Sequence, residues 1–125
     1  MLSPLFQEVF DSVRTQLEGF RAFALVGEDG VVIEKVSADS TLDPETLFEF
    51  ATILRIAQHT SEATANGQLT EMSWTASRCL MLAHRVSGGS FLILAGEPGL
   101  RVGFARYLLR RAAWELRPQL ENAPR

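Results

Sequence analysis

"FEFATILRIAQHTSEATANG", residues 48–67, reads as one long helix with apolar side chains on two sides. At 100° per residue, Leu47, Phe50, Ala51, Ile53, Leu54, Ala57 and Ala65 fall in one broad sector, the face expected to lie on a core. Phe48, Ile56 and Ala63 lie roughly opposite, interleaved with Thr52, Arg55 and His59. A helix resting on a single core needs only one stripe. The second predicts an interface. Burying a Phe and an Ile that a monomer leaves in water is worth about 3–6 kcal/mol before the entropic cost of association.

The letters on either side of this helix set its limits and its surroundings. Asp43 and Pro44 are a capping residue followed by proline at the first helical position, and Asn66-Gly67 is the expected stop. Upstream, Ser3 and Pro4 open a first helix in which Leu5, Phe6, Val9, Phe10, Val13 and Leu17 follow helical spacing to Gly19. "RAFALVGEDGVVIEKV", residues 21–36, is a hairpin around Glu28-Asp29-Gly30. Downstream, "LTEMSWT", "RCLMLAHRV" and "FLILA" are three strand-like runs joined by polar turns. "GEPG" then leads into a last amphipathic helix from Leu100 to about Leu116. The order is α-β-β-α-β-β-β-α, an α+β arrangement in a single domain over residues 1–125 with its core at about 4–117.

The runs "FALV", "CLMLA" and "FLILA" are apolar at consecutive positions, so helices should cover both faces of those strands. Residues 71–75 alternate instead: Met72 and Trp74 on one side, Glu71, Ser73 and Thr75 on the other. That pattern marks an edge strand, and an edge without Pro or Lys invites pairing with another copy. A two-fold arrangement would use the edge and the second helix stripe together. The expectation is a homodimer.

The bulk composition excludes several function classes. A chain of 125 residues with 46% apolar and 22% charged side chains and a net charge of −3 gives no overall signal for nucleic acid or an anionic membrane. The charge is uneven: residues 100–125 hold six Arg against two Glu, and the first 99 hold six basic against thirteen acidic side chains. Arg106, Arg110, Arg111 and Arg117, beside Phe104, Tyr107, Leu108, Ala112 and Leu116, read as a solvated face opposite a core stripe. Cys79 stands alone, which rules out an internal disulfide and fits a reducing cytoplasm. No apolar run reaches the ~18 residues of a membrane span, and the N-terminus lacks the marks of a signal peptide. Cys79 and His84, five apart on one strand, point to opposite faces and form no nucleophile–base pair. His59 and Glu62 are too slight a pair for a metal site, and no phosphate-binding or nucleophile motif occurs. The expectation is a protein with no enzyme activity, cofactor or metal.

The hairpin "FALVGEDGVVIE", the Asp-Pro-initiated helix and the closing "GLRVGFARYLLRRAAWEL" together resemble a roadblock/LC7 domain, nearest to the bacterial MglB-type branch. The resemblance covers nearly the whole chain, to about Leu116. It implies a profilin-like sandwich: a five-stranded antiparallel sheet in the order 2-1-5-4-3, the long helix on one face and the terminal helices on the other. It also implies dimers joined through the third strand and the long helix, with a continuous ten-stranded sheet. In this chain those positions are Glu71, Met72, Ser73, Trp74 and Thr75 on the strand, and Phe48, Thr52, Arg55, Ile56, His59 and Ala63 on the helix. The implied function is a regulator or scaffold for a Ras-like small GTPase. The alternatives are a PAS-like small-molecule sensor and a structural subunit of a larger assembly.

Overall fold

The computed structural model describes residues 4–37 and 43–121. Helix α1 (Pro4–Gln16) leads into strands β1 (Phe20–Val26) and β2 (Val32–Ser37). Helix α2 (Pro44–Ala63) follows, then β3 (Glu71–Thr75), β4 (Leu80–Ser87), β5 (Ser90–Gly96) and helix α3 (Val102–Glu121). The strands form one antiparallel sheet in the order β2-β1-β5-β4-β3, so β5 is central and β2 and β3 are the edges. This is the expected α+β sandwich.

The two faces of the sheet are built from different side chains. Toward α2 the strands present Ala22, Ala24, Ala83 and Ala95 with Val26, Met81, Phe91 and Ile93, meeting Leu47, Phe50 and Leu54 of the helix. The alanines let one helix settle close to the strands. Toward α1 and α3 they present Phe23, Leu25, Leu82, Leu92 and Leu94, which fill the larger space under two helices. Strand β5 is buried from end to end, which is why its sequence does not alternate. At its end, a Cβ on Gly96 would stand 2.9 Å from the Gly19 carbonyl oxygen, so only glycine permits β5 to pass this close to the α1–β1 turn.

The cap at Asp43 is formed as expected: the Thr46 backbone N–H donates to Asp43 Oδ1 at 2.7 Å, and Pro44 starts the helix. The cap expected at Ser3 lies outside the described residues. Two helix ends differ from the sequence reading. Helix α2 stops at Ala63, because Ala65 adopts a left-handed φ of 62° and the N–H groups of Ala65 and Asn66 turn back to the Glu62 and Ser61 carbonyls. Ala65 therefore leaves the core stripe and is exposed. Helix α3 runs on from Leu116 to Glu121 through Pro118, held by an Arg117–Glu121 bond of 2.8 Å and by Leu120 packed on the core.

The Asp43 cap gives a pH-dependent prediction. The Thr46 backbone bond favours the carboxylate and holds the Asp43 carboxyl below its ordinary value. A depressed folded pKa stabilises above the unfolded pKa, and that contribution is lost as pH falls through the folded one. Asp43→Ala should lower the melting temperature at neutral pH, and Asp43→Asn should do so less because its oxygen still accepts. Calorimetry on the three proteins should show the Ala deficit shrinking as pH falls below about 4, and the Asn deficit closing, since the protonated carboxyl keeps only a neutral acceptor oxygen.

Candidate functional site

The surface that stands out is the open edge at β3 and the outer side of α2. On β3, Met72 and Trp74 are paired in register with Ala83 and Met81, so their side chains lie on the α2 side of the sheet. Met72 is half-buried against the α2-side cluster. Trp74 remains 45% exposed, with its ring set edge-on to Phe50 at 6.2 Å between centroids. This contact joins the edge strand to the long helix and makes them one surface. On the other face of the strand, Glu71 pairs with Arg106 of α3 at 3.5 Å, which ties the edge to the second helical layer. Ser73 and Thr75 are exposed between them.

The helix contributes Ile56, 61% exposed, with Ala63 two turns on along the same outward line. Thr52 is half-buried beside them, its hydroxyl donating to the Phe48 carbonyl, and His59 is exposed. Phe48 is 63% exposed but sits on the flank. It shares a helical line with Arg55, whose side chain reaches the β1–β2 turn, 3.4 Å from where a Cβ on Gly30 would be. The β3 side of α2 is the opposite flank, marked by Phe50 against Trp74. The structure thus brings Ile56, Ala63, Met72 and Trp74 to one side of the molecule and places Phe48 and Arg55 toward the hairpin. Ile53 and Ala57, assigned to the core face from sequence, are only half-buried and fill the slope between the helix crest and the edge.

Between α2 and the two hairpin turns lies an open cleft of about 370 Å³, with Glu28, Arg55, His59 and Glu62 among its lining residues. Its charges are mixed, and Val26, Leu54 and Phe91 of the α2-side core line its inner wall. Cys79 is packed on the α2 side, and its thiol contacts the Leu80 carbonyl at 3.6 Å. His84 belongs to the opposite face and its Nδ1 lies 2.9 Å from the Arg85 carbonyl. Among the described residues no group of three His, Cys, Asp or Glu could hold a metal ion. No described helix is long and apolar enough to cross a membrane.

The last helix departs from the sequence reading. Tyr107, which by residue type belongs beside the core stripe, is 47% exposed, and Trp114 is 73% exposed. The buried residues of α3 are Ala105, Leu108, Leu109, Ala112, Ala113 and Leu116. Tyr107 and Trp114 stand seven residues apart, almost directly opposite that set. The helical angles carry this signal, and residue type alone hides it.

The sheet order and the distribution of helices define the fold as that of the roadblock/LC7 domains. A roadblock/LC7 domain from Streptomyces avermitilis superposes with a TM-score of 0.75 at 13% identity, covering 92% of this chain and 97% of that one. The gliding protein MglB of Thermus thermophilus is similar over 98% of this chain and 96% of its own, at 18% identity and a TM-score of 0.78. MglC of Myxococcus xanthus shares 26% identity over 92% of this chain and 98% of that one, with a TM-score of 0.65. The resemblance read from the sequence is therefore matched in three dimensions. No protein-family model matches the sequence, and no curated protein matches it.

Proposed function

We propose that this chain is a member of the roadblock/LC7 family that acts without catalysis of its own, as a homodimeric regulator or scaffold for a Ras-like small GTPase. The observation that carries the reading is the continuity of the open β3 edge with the outer side of α2 through the Trp74–Phe50 contact. An edge strand with free backbone groups and an adjoining Ile56 offers a second copy both ladder hydrogen bonds and apolar burial. Two copies related by a two-fold axis would form a ten-stranded sheet with both α2 helices on one face, a broad platform for a partner. The similarity to MglB and MglC favours the bacterial branch of the family.

Such a platform works by binding one conformation of its partner more tightly than another. A tenfold preference for one nucleotide state corresponds to about 1.4 kcal/mol of coupling. The test is a pull-down from source-cell lysate with the immobilised protein, run once with GDP and once with a non-hydrolysable GTP analogue. The expected result is recovery of a Ras-like GTPase mainly in the GTP-analogue lane. Equal recovery in both lanes would overturn the regulatory role and leave a scaffold; no GTPase in either lane would overturn both.

A further inference from the structure

We propose that the outward face of α3 docks an acidic segment of a partner protein, on the side of the sheet opposite α2. An indole 73% exposed on a folded helix is unusual, because a Trp left in water forgoes more apolar burial than any other side chain. Here it is aligned with Tyr107, two turns earlier on the same line, about 10 Å away along the axis. Arg110 and Arg111 stand between them on either side of that line. Trp, Tyr and Arg are the residue types that dominate binding energy at protein interfaces.

The charges along this face specify the partner's chemistry. Arg106 is engaged by Glu71, Arg111 by Glu115 and Arg117 by Glu121. Arg101 lies over the Phe104 ring at 5.1 Å, and that ring stacks on Tyr107 at 6.4 Å. Arg110 forms no ion pair among the described residues, and it lies between the two exposed aromatic rings in sequence. A partner that brings a carboxylate to Arg110 and an apolar side chain to Trp114 would satisfy both kinds of group.

The same layer argues against a lipid surface. Helix α1 packs beside α3, and its outer side carries Glu8 and the Asp11–Arg14 ion pair, with Glu18 just beyond its end. A flat anionic membrane laid on both helices would meet those carboxylates. A narrow segment lying along α3 meets its arginines instead. This inference does not rest on the GTPase reading, since it concerns the other face of the sheet.

The experiment is a selection from a displayed library of random peptides of ~16 residues, which as a helix would span about 24 Å. Enriched peptides should be net acidic with at least one aromatic or large aliphatic residue. Their affinity for the purified protein, read by fluorescence polarisation, should weaken with added salt. It should fall about tenfold or more in Trp114→Ala and, separately, in Arg110→Glu. Both side chains are exposed, so circular dichroism and solution mass should match the unmodified protein. Enrichment of peptides without net negative charge, or equal binding to the variants, would overturn the proposal. Retention on phosphatidylcholine–phosphatidylglycerol vesicles that both substitutions abolish would also overturn it, and would assign the face to lipid.

Discussion

Ile56→Arg is expected to convert the protein from a dimer to a monomer of 13.9 kDa in light scattering at micromolar concentration, with unchanged circular dichroism. Ile56 is 61% exposed and contributes little to the subunit's own core, so its replacement should leave the fold intact. In a two-fold dimer the change occurs twice. Each copy would lose about 1.5–3 kcal/mol of apolar burial, and the two cations would approach across the axis without partners. A total above about 4 kcal/mol weakens association roughly a thousandfold or more. Phe48→Arg should weaken the dimer less, because Phe48 stands on the hairpin-side flank of α2. A dimeric mass retained in Ile56→Arg would remove the crest of α2 from the interface.

Phe23→Ala should cost about 3–5 kcal/mol of stability and lower the melting temperature by roughly 10–20 °C. Phe23 is fully buried at the meeting point of β1, α1 and the turn before β1. Its ring is edge-on to Phe20 at 5.2 Å and to Phe10 at 6.1 Å, and it lies 6.3 Å from Phe6. Removing it takes away the shared neighbour of three other rings, and helices on two sides hinder collapse of the cavity. Urea unfolding at a fixed protein concentration checks this, since the proposed self-association would add to apparent stability by mass action. A loss under about 1.5 kcal/mol would mean that the remaining rings close over the gap.

Much of this fold is legible in the letters because the strongest signals are local. Asp43-Pro44 caps a helix wherever it stands before one, and the consecutive apolar residues of β5 leave no solvated face. The alternation at Glu71–Thr75 identifies an edge because only one side of that strand has a core to meet. The helix ends are harder to read. Ala65, a residue that gives no stop signal, turns left-handed and closes α2 two residues before Gly67, and α3 passes through Pro118, which removes the donor for the Trp114 carbonyl near the end of the helix. The candidate site is legible as a set of exposed residues, but its division is not. Which flank of α2 faces β3 depends on how the helix is rotated on the sheet, and Phe50 against Trp74 and Arg55 against Gly30 settle that rotation in three dimensions. Tyr107 and Trp114 show the complementary difficulty: aromatic character suggests burial, and only the helical angle contradicts it.

The central claim is that β3 pairs with β3 of a second copy, and a distance across that junction tests it most directly. Ser73 is the middle residue of β3 and is exposed, so Ser73→Cys in a Cys79→Ser background takes a nitroxide label at a single defined place. Pulsed electron paramagnetic resonance should give one narrow distance below about 25 Å, because adjacent antiparallel strands lie ~5 Å apart and the label linkers add the rest. No dipolar coupling, or a distance beyond about 40 Å, would contradict the shared sheet and the platform built on it.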